Sequence, residues 1–521
     1  MKLRDWWIEL VAFGAALGYC AYTGHIWEDY LIAFRHSQNF VNGHGLTYNP
    51  GEPVYGFTSP LGVLLPAFFY WLTGAGSFEP ALWLFRLVTM AAFAATAGLG
   101  FRLVREHSGN PVAALVFLSF FLLDVKAVAY STNGMETALM LFFVLLSLKF
   151  TLAEDDRGWW ALGLSWAGLM WTRPDSVVYV AVMSLATFLL WPRPARRSLK
   201  RFLKAGLITT AAYLPWIVFT AWYYGSPIPQ TVKAKGALGA IHLLPNASLS
   251  NPLKYLSTLP LLWQTALTFG PPYMGFGGWP WWLMYALEAF SAVGLLYWLI
   301  PSADRFGRFT SFCFFGVGLY LCTVIAFPWY LPVTGLFGWL TLASVLGRGL
   351  AHSRAGIVRV SRLGWGGAAG GLIILWLASA HALRIQQREV ENGNRRQIGE
   401  WLREHRKADD AVASESIGYV GFFSGARIID FPGLVSPSVL PITQKTPGDY
   451  NGVIQQLRPA WVVLRHDEIL GMNADTHRDY ELAKTFDVRP RLAAYGEYLG
   501  NGYAKYDAHY FILHRRISGL H

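Results

Sequence analysis

Through its first 384 residues the chain repeats one pattern, an apolar run of about twenty residues followed by a polar break. A run of that length crosses the hydrocarbon of a bilayer as a helix, because a helix satisfies its own backbone hydrogen bonds where no water is present. Runs of this kind fall at 7–23, 79–101, 110–129, 134–152, 175–191, 204–224, 280–300, 309–327, 330–347 and 363–384. The shorter, Trp- and Leu-rich 158–172 brings the expected number of spans to about eleven. Only 14% of the 521 residues are charged, against about 25% in an ordinary soluble domain. That deficit excludes a disordered chain and argues against a soluble enzyme. The N-terminus starts basic and runs apolar to Thr23, as a signal peptide does, but no small-x-small cleavage site follows. It reads as a retained first helix. Cys20, Cys313 and Cys322 all lie in apolar runs without metal spacing and read as packing residues.

The basic residues give the orientation. The whole net charge of +11 lies in residues 1–384, whereas residues 385–521 carry 17 basic and 17 acidic side chains. A basic chain can signal nucleic acid, but here the excess sits between spans, where cytoplasmic anchors are needed, and no nucleic-acid partner is expected. The clusters are Lys2 and Arg4, Arg102 and Arg105, Lys149 and Arg157, Arg193 to Lys204, Arg305 and Arg308, and Arg348 to Arg362. They follow alternate spans, so all fall on one side. The N-terminus is therefore placed in the cytoplasm and residues 385–521 outside it. The expected fold is mainly α: a polytopic bundle over 1–384, with long outer loops at 24–78 and 225–279, and an extracytoplasmic α/β domain over 385–521. Leu61–Leu72 is too short to span and should lie in the interface. In the tail, helical spacing covers Asn394–His405, and strand-like runs are Ala411–Ser414, Arg427–Ile429, Trp461–Leu464 and Tyr510–Leu513.

Chemistry-bearing residues cluster on the outer side. Glu28 and Asp29 lie just beyond the first span, at the start of a helix. Neighbouring acids can act as base and orienting partner when burial and repulsion lift one pKa; they can equally serve as a helix N-cap. Glu136 opens another outer helix end, where an acid is favourable in any case. Arg173 and Asp175 share a tight outer turn and could be a structural ion pair. Lys233 and Lys235 start the second long loop and could simply snorkel to the interface. His25 and His36 lie near the acids but without ligand spacing, so no cofactor is expected, with a divalent metal as the open alternative.

The loop from Trp27 to Leu61 includes Phe34-Arg35, Gly43-His44-Gly45, Tyr48-Asn49-Pro50-Gly51-Glu52 and Tyr55-Gly56-Phe57-Thr58-Ser59-Pro60-Leu61. This stretch resembles the first periplasmic loop of GT-C fold glycosyltransferases, most closely the arabinofuranosyltransferase B group. Glu28 stands where many relatives carry a first Asp; the second acid, Asp29, is retained. Further matches follow in order: Asn133-Gly134-Met135-Glu136-Thr137, Thr172-Arg173-Pro174-Asp175, Tyr223 to Thr231, Phe327-Pro328-Trp329-Tyr330, and Ile429-Asp430-Phe431-Pro432-Gly433-Leu434. The resemblance implies an inverting transfer of a monosaccharide, arabinofuranose as the best single guess, from a polyprenyl-phosphate carrier. The acceptor would be an envelope glycan, lipid or protein at the outer face of a bacterial inner membrane. Asp29 would be the base, with Glu28 beside it. Arg35, Arg173, Asp175, Lys233, Lys235, Glu136, Tyr55 and Ser59 would bind the donor's phosphate and sugar. The alternatives are a mannosyl- or aminosugar-transferase of the same fold, or a polytopic lipid or glycan transporter. Transporters place charges near mid-bilayer and show two similar halves, and the sequence displays neither pattern.

Overall fold

The computed structural model describes residues 6–237, 259–324, 326–352, 355–445 and 448–516. Residues 238–258 of the second long loop, Lys2, Arg4, and the side chains of Arg354, Arg359 and Arg362 lie outside what is described.

Among the described residues, the apolar runs are helical over most of their length. The helices are α1 (Trp7–Thr23), α2 (Glu28–Val41), α3 (Pro60–Leu72), α4 (Phe78–Ser108), α5 (Pro111–Leu122), α6 (Val125–Thr132), α7 (Thr137–Leu152), α8 (Trp159–Thr172), α9 (Val177–Leu190), α10 (Ala195–Tyr224), α11 (Gln230–Ala237) and α12 (Pro260–Leu267). They continue as α13 (Trp281–Leu296), α14 (Arg305–Leu321), α15 (Leu331–His352) and α16 (Ala355–Ile385). Among the described residues, 5 helices are long and apolar enough to cross a membrane, or 6 if the bent pair α5–α6 is one span. The other apolar helices are shorter; the 16 residues of α7 reach about 24 Å.

Two departures from the sequence reading matter. The expected span 110–129 is broken: α5 and α6 meet at 55°. The break is held by charge. Asp124 accepts from the Ala127 backbone N–H at 2.9 Å and from the Trp339 indole at 2.7 Å. Lys126 donates to the carbonyls of Leu267 (2.5 Å), Gly270 and Pro271 (2.9 Å), which follow from the end of α12. A charged pair in an apolar helix is costly unless every lone pair and proton is used, and here the bend uses them. The second departure is α10, expected from 204 but starting at Ala195, so the basic cluster from Arg196 to Lys204 is part of the helix rather than a loop.

The short run Leu61–Leu72, expected at the interface, is helical as α3. Ser59 caps it by accepting from Gly62 N–H at 2.8 Å, and Pro60 sits in its first turn, where a missing N–H costs nothing. Phe68, Trp71 and Leu72 are exposed, leaving one apolar face without a protein partner.

After α16, a π-helical stretch Gln386–Arg395 leads into α17 (Arg396–His405) and then a sheet. Its strands are β1 (Ala411–Ser414), β2 (Arg427–Asp430), β3 (Trp461–Arg465), β4 (Tyr480–Asp487) and β5 (His509–Arg515), in the order β2-β1-β3-β5-β4. β1 pairs in parallel with β2 and β3, and β5 runs antiparallel to β3 and β4. The strands expected from sequence are β1, β2, β3 and β5. β4 escaped because it is an edge strand with seven of its eight side chains at least partly exposed, so it lacks the apolar alternation that marks a half-buried strand.

The tail is seated on the first long loop. Tyr48 donates its hydroxyl to the Ile417 carbonyl at 2.7 Å, and Asn49 pairs with both backbone groups of Ile428, at 2.9 and 3.0 Å. Tyr48 belongs to the same buried cluster as Ile398, Val412 and Val463. The sheet domain is therefore held against the start of α2, which is where the acids lie.

Candidate active site

The chain bends between α1 and α2, where the Trp27 N–H donates to the Asn133 carbonyl at 2.9 Å. This ties the start of α2 to the turn between α6 and α7. Trp27 anchors the bend through its ring, stacked on Tyr273 at 5.1 Å and edge-on to Tyr130 at 5.5 Å. Gly134 makes the approach possible. Its φ is +97°, and a Cβ there would lie 2.6 Å from the Tyr30 ring, so both backbone and space require glycine.

A cleft of about 660 Å³ opens at this junction. Of the expected site residues it gathers Asp29, Ser59, Glu136, Arg173 and Lys235, each from a different segment. A second cleft of about 1280 Å³ adjoins it, shares Thr58, Arg173 and Lys235, and is also lined by Asp175. Sequence distance hides this convergence; the order α2, α7, α8 and α11 around the cleft creates it.

The electrostatics sort the residues. Burial pushes the Asp29 carboxyl up to about 6; the ammonium of Lys235 opposes that rise and Glu136 adds to it. Burial also raises Glu136, against the attraction of Arg173, which is 3.7 Å away. Arg173 holds Asp175 with two bonds, 3.0 and 3.2 Å, and its guanidinium lies 4.4 Å from the Tyr330 ring centre. Burial works against the Asp175 charge, but Arg173 and the Tyr320 hydroxyl (3.0 Å) outweigh it and hold this carboxyl below the usual range. Lys235 makes no ion pair with any described residue. Its ammonium is instead surrounded by the rings of Phe327, Trp329 and Tyr330 at 4.6, 5.7 and 5.8 Å. A cation held by ring faces keeps its charge available to an anion entering the cleft.

Four expected residues line neither cleft. Glu28 turns to the tail. It pairs with Arg395 at 2.8 Å and accepts from Ser416 and from the Gly418 N–H, both at 3.0 Å. A Cβ at Gly418 would collide with the Glu28 backbone, so this docking too needs glycine. Arg35 is buried and donates to the carbonyls of Gly421 and Ala426, both at 2.6 Å, over the Tyr48 ring. It fastens α2 to the sheet domain. The Tyr55 hydroxyl accepts from the Trp216 indole at 3.0 Å in a separate buried cluster, and Lys233 is exposed. Tyr320, unremarked in the sequence, reaches Asp175 from the end of α14; a tyrosine closing an apolar run was the available signal. Leu434, which closes the Ile429–Leu434 motif, brings the tail to the cleft wall.

Among the described residues, no three His, Cys, Asp or Glu side chains come together as metal ligands. His25 and His36 are both buried but apart from the cleft lining.

Comparison with known proteins fits this architecture. A family model described as a domain of unknown function (DUF8728) matches residues 381–509. The chain is 29% identical over 236 residues to a terminal beta-(1->2)-arabinofuranosyltransferase of Corynebacterium glutamicum, covering 41% of this chain and 33% of that one. It is 24% identical over 268 residues to the enzyme of that name from Mycobacterium tuberculosis, covering 45% and 38%. The match thus spans 33% and 38% of those two relatives. In structure it resembles ArnT from Cupriavidus metallidurans, solved bound to undecaprenyl phosphate, with TM-score 0.57, 13% identity, and 98% and 97% of the two chains covered. The Archaeoglobus fulgidus oligosaccharyltransferase, solved with a tethered acceptor peptide, gives TM-score 0.52 at 13% identity, over 88% and 69%. The fold is GT-C: a polytopic helical bundle with a small sheet domain after it.

Proposed function

We propose that this chain is an integral-membrane glycosyltransferase of bacterial inner membranes that moves a monosaccharide, arabinofuranose foremost, from a polyprenyl-phosphate carrier. The acceptor is an envelope glycan, lipid or protein on the extracytoplasmic face. Residues 1–384 form the transmembrane catalytic domain and 385–521 the extracytoplasmic domain seated on it. The observation that carries the reading is Asp29. Its carboxyl, raised to about 6, shares one cleft with two cations, Lys235 and Arg173. A base with a pKa near the working pH takes a proton from an acceptor hydroxyl most effectively.

The residues then divide as follows. Asp29 removes the hydroxyl proton as the oxygen attacks the anomeric carbon. The glycosidic C–O bond to phosphate breaks on the opposite side, inverting the carbon. The departing phosphate gathers charge, and Lys235 and Arg173 meet it. Asp175 keeps the Arg173 guanidinium in one orientation, and Glu136 pairs with Arg173 and adds to the rise of the base's pKa. Ser59 fixes the start of α3 at the cleft rim. Arg35 and Glu28, as placed, act on the site through the seating of α2 rather than by touching the donor.

The test is transfer by the purified full-length protein in liposomes, using a panel of polyprenyl-phosphate sugars and radiolabelled donor. Transfer from decaprenyl-phosphoarabinofuranose, lost in Asp29→Asn, supports the reading. Transfer from another sugar only would replace the donor, and transfer from none would remove the reading. A reporter fused after His521 should read extracytoplasmic.

A further inference from the structure

The bend at Asp124 leaves α6 as a short helix with Lys126 and Tyr130 one turn apart, on the same face. Both side chains act on what surrounds Trp27. Lys126 is 1% exposed and spends its three N–H groups on the carbonyls of Leu267, Gly270 and Pro271. Tyr130 meets the Trp27 ring edge-on. The sequence after α12 explains the need for an ammonium. Carbonyls at a helix end lack partners within the helix, and the residues that follow include Pro271 and Pro272, which bring no N–H. A lysine supplies three donors together with the positive charge that a helix C-terminus favours.

The turn held in this way delivers Tyr273 with a φ of +59°. That is left-handed backbone, which a residue other than glycine keeps only where its surroundings fix it. The Tyr273 ring stacks on Tyr503 of the tail at 3.9 Å and on Trp27 at 5.1 Å. Trp27 is the residue before α2. Its carbonyl accepts the Tyr30 N–H at 3.1 Å, and its own N–H goes to the carbonyl of Asn133, which follows α6. Asp29 comes two residues after Trp27, in the first turn of α2. One side of its seat is therefore α6, and another is the turn that Lys126 grips.

We propose that Lys126 is a positioning residue for the transfer reaction: by gripping the turn after α12 it fixes Tyr273 against Trp27, and so fixes the direction in which Asp29 enters the cleft. Lys126 itself lines neither cleft. The inference rests on the reading of Asp29 as the base.

The experiment compares Lys126→Met and Tyr273→Leu in the full-length protein, by initial transfer rates over a range of donor concentrations and by hydrogen–deuterium exchange of the peptide covering residues 26–31. Methionine keeps the length of lysine and removes its donors. A small misplacement of a catalytic group costs rate while the donor-binding groups stay in place, so kcat should fall at least ~10-fold in each variant with the donor KM within about twofold. Tyr273→Phe keeps the ring and should recover most of the lost kcat. The two losses share one route, so the double variant should be no worse than the worse single one. Losses that multiply would show two independent effects and overturn the proposal. Exchange at 26–31 should rise in Lys126→Met and in Tyr273→Leu and stay unchanged at β3. Exchange at the wild-type level there, or a raised KM with kcat unchanged, overturns the proposal. Lys126→Met leaves Asp124 charged and alone; if it does not fold, Asp124→Asn with Lys126→Met removes both buried charges and carries the same measurements. The exchange arm needs no activity. A wild type that transfers no sugar, with exchange at 26–31 raised in both variants, removes the proposed function and leaves the hold of Lys126 on Asp29 supported.

Discussion

Replacing Asp29 by Asn should make the protein more stable and less active at once. The carboxyl titrates near 6 in the fold, against 3.8 when unperturbed, because burial disfavours its charge. A folded pKa above the unfolded one means that the acid favours folding in its protonated form. That contribution is whole below pH 3.8 and is lost as pH rises through about 6. Above pH 7 the native protein therefore carries the cost of holding an ionised carboxylate in the cleft. From 3.8 to about 6, at about 1.4 kcal/mol per tenfold, that cost is at most about 3 kcal/mol. Asn keeps the shape and removes the charge. Melting midpoints in one detergent should show the variant above wild type at pH 8, with the gap closing toward pH 4. Transfer rates should fall at least ~10²-fold, the scale of a lost general base. Wild-type turnover should rise through about pH 6 as the base ionises. A variant that melts below wild type at pH 8 would refute the argument. It would mean that the carboxylate is held as a stabilising partner of Lys235 rather than kept at a cost for chemistry.

Three further outcomes follow from the geometry. Arg395 is 1% exposed and faces Glu28, Glu391 and Asp507, so Arg395→Met leaves buried carboxylates unpaired; it should cost about 3–5 kcal/mol in thermal unfolding, and adding Glu28→Gln should recover part of the loss in a double-mutant cycle. Gly134→Ala must adopt a positive φ and press on Tyr30; unfolding should show a loss of about 1–3 kcal/mol, and transfer rates should fall as Trp27 loses its seat. Arg173→Lys keeps charge but loses the two-point grip on Asp175; kcat/KM for the lipid-linked donor should drop about 10-fold or more, with folding unchanged by circular dichroism.

Much of this architecture is local and therefore legible in a single chain. Apolar length specified the helices, because a bilayer leaves the backbone no other solution. Alternate basic clusters place the acids on one face in the sequence reading. Ser59-Pro60 announced the start of α3, and four buried strands announced the sheet. The exposed β4 and the bend at Asp124 stayed hidden, since an edge strand has no apolar period and a broken helix reads as a continuous apolar run.

The site was legible as a list but not as a set. Arg35, Tyr55 and Lys233 have the chemistry of donor-binding groups, and only packing sends them elsewhere: Arg35 to the carbonyls of Gly421 and Ala426, Tyr55 to Trp216, Lys233 to solvent. Glu28 and Asp29 show the division most clearly. The sequence determined that two acids begin α2. Successive side chains on a helix point about 100° apart, so they cannot share one surroundings. Which of the two meets the cleft is decided by what packs on each side of α2. Arg395, Ser416 and Gly418 of the tail take Glu28, and the walls from α7, α8 and α11 leave Asp29 facing the open space.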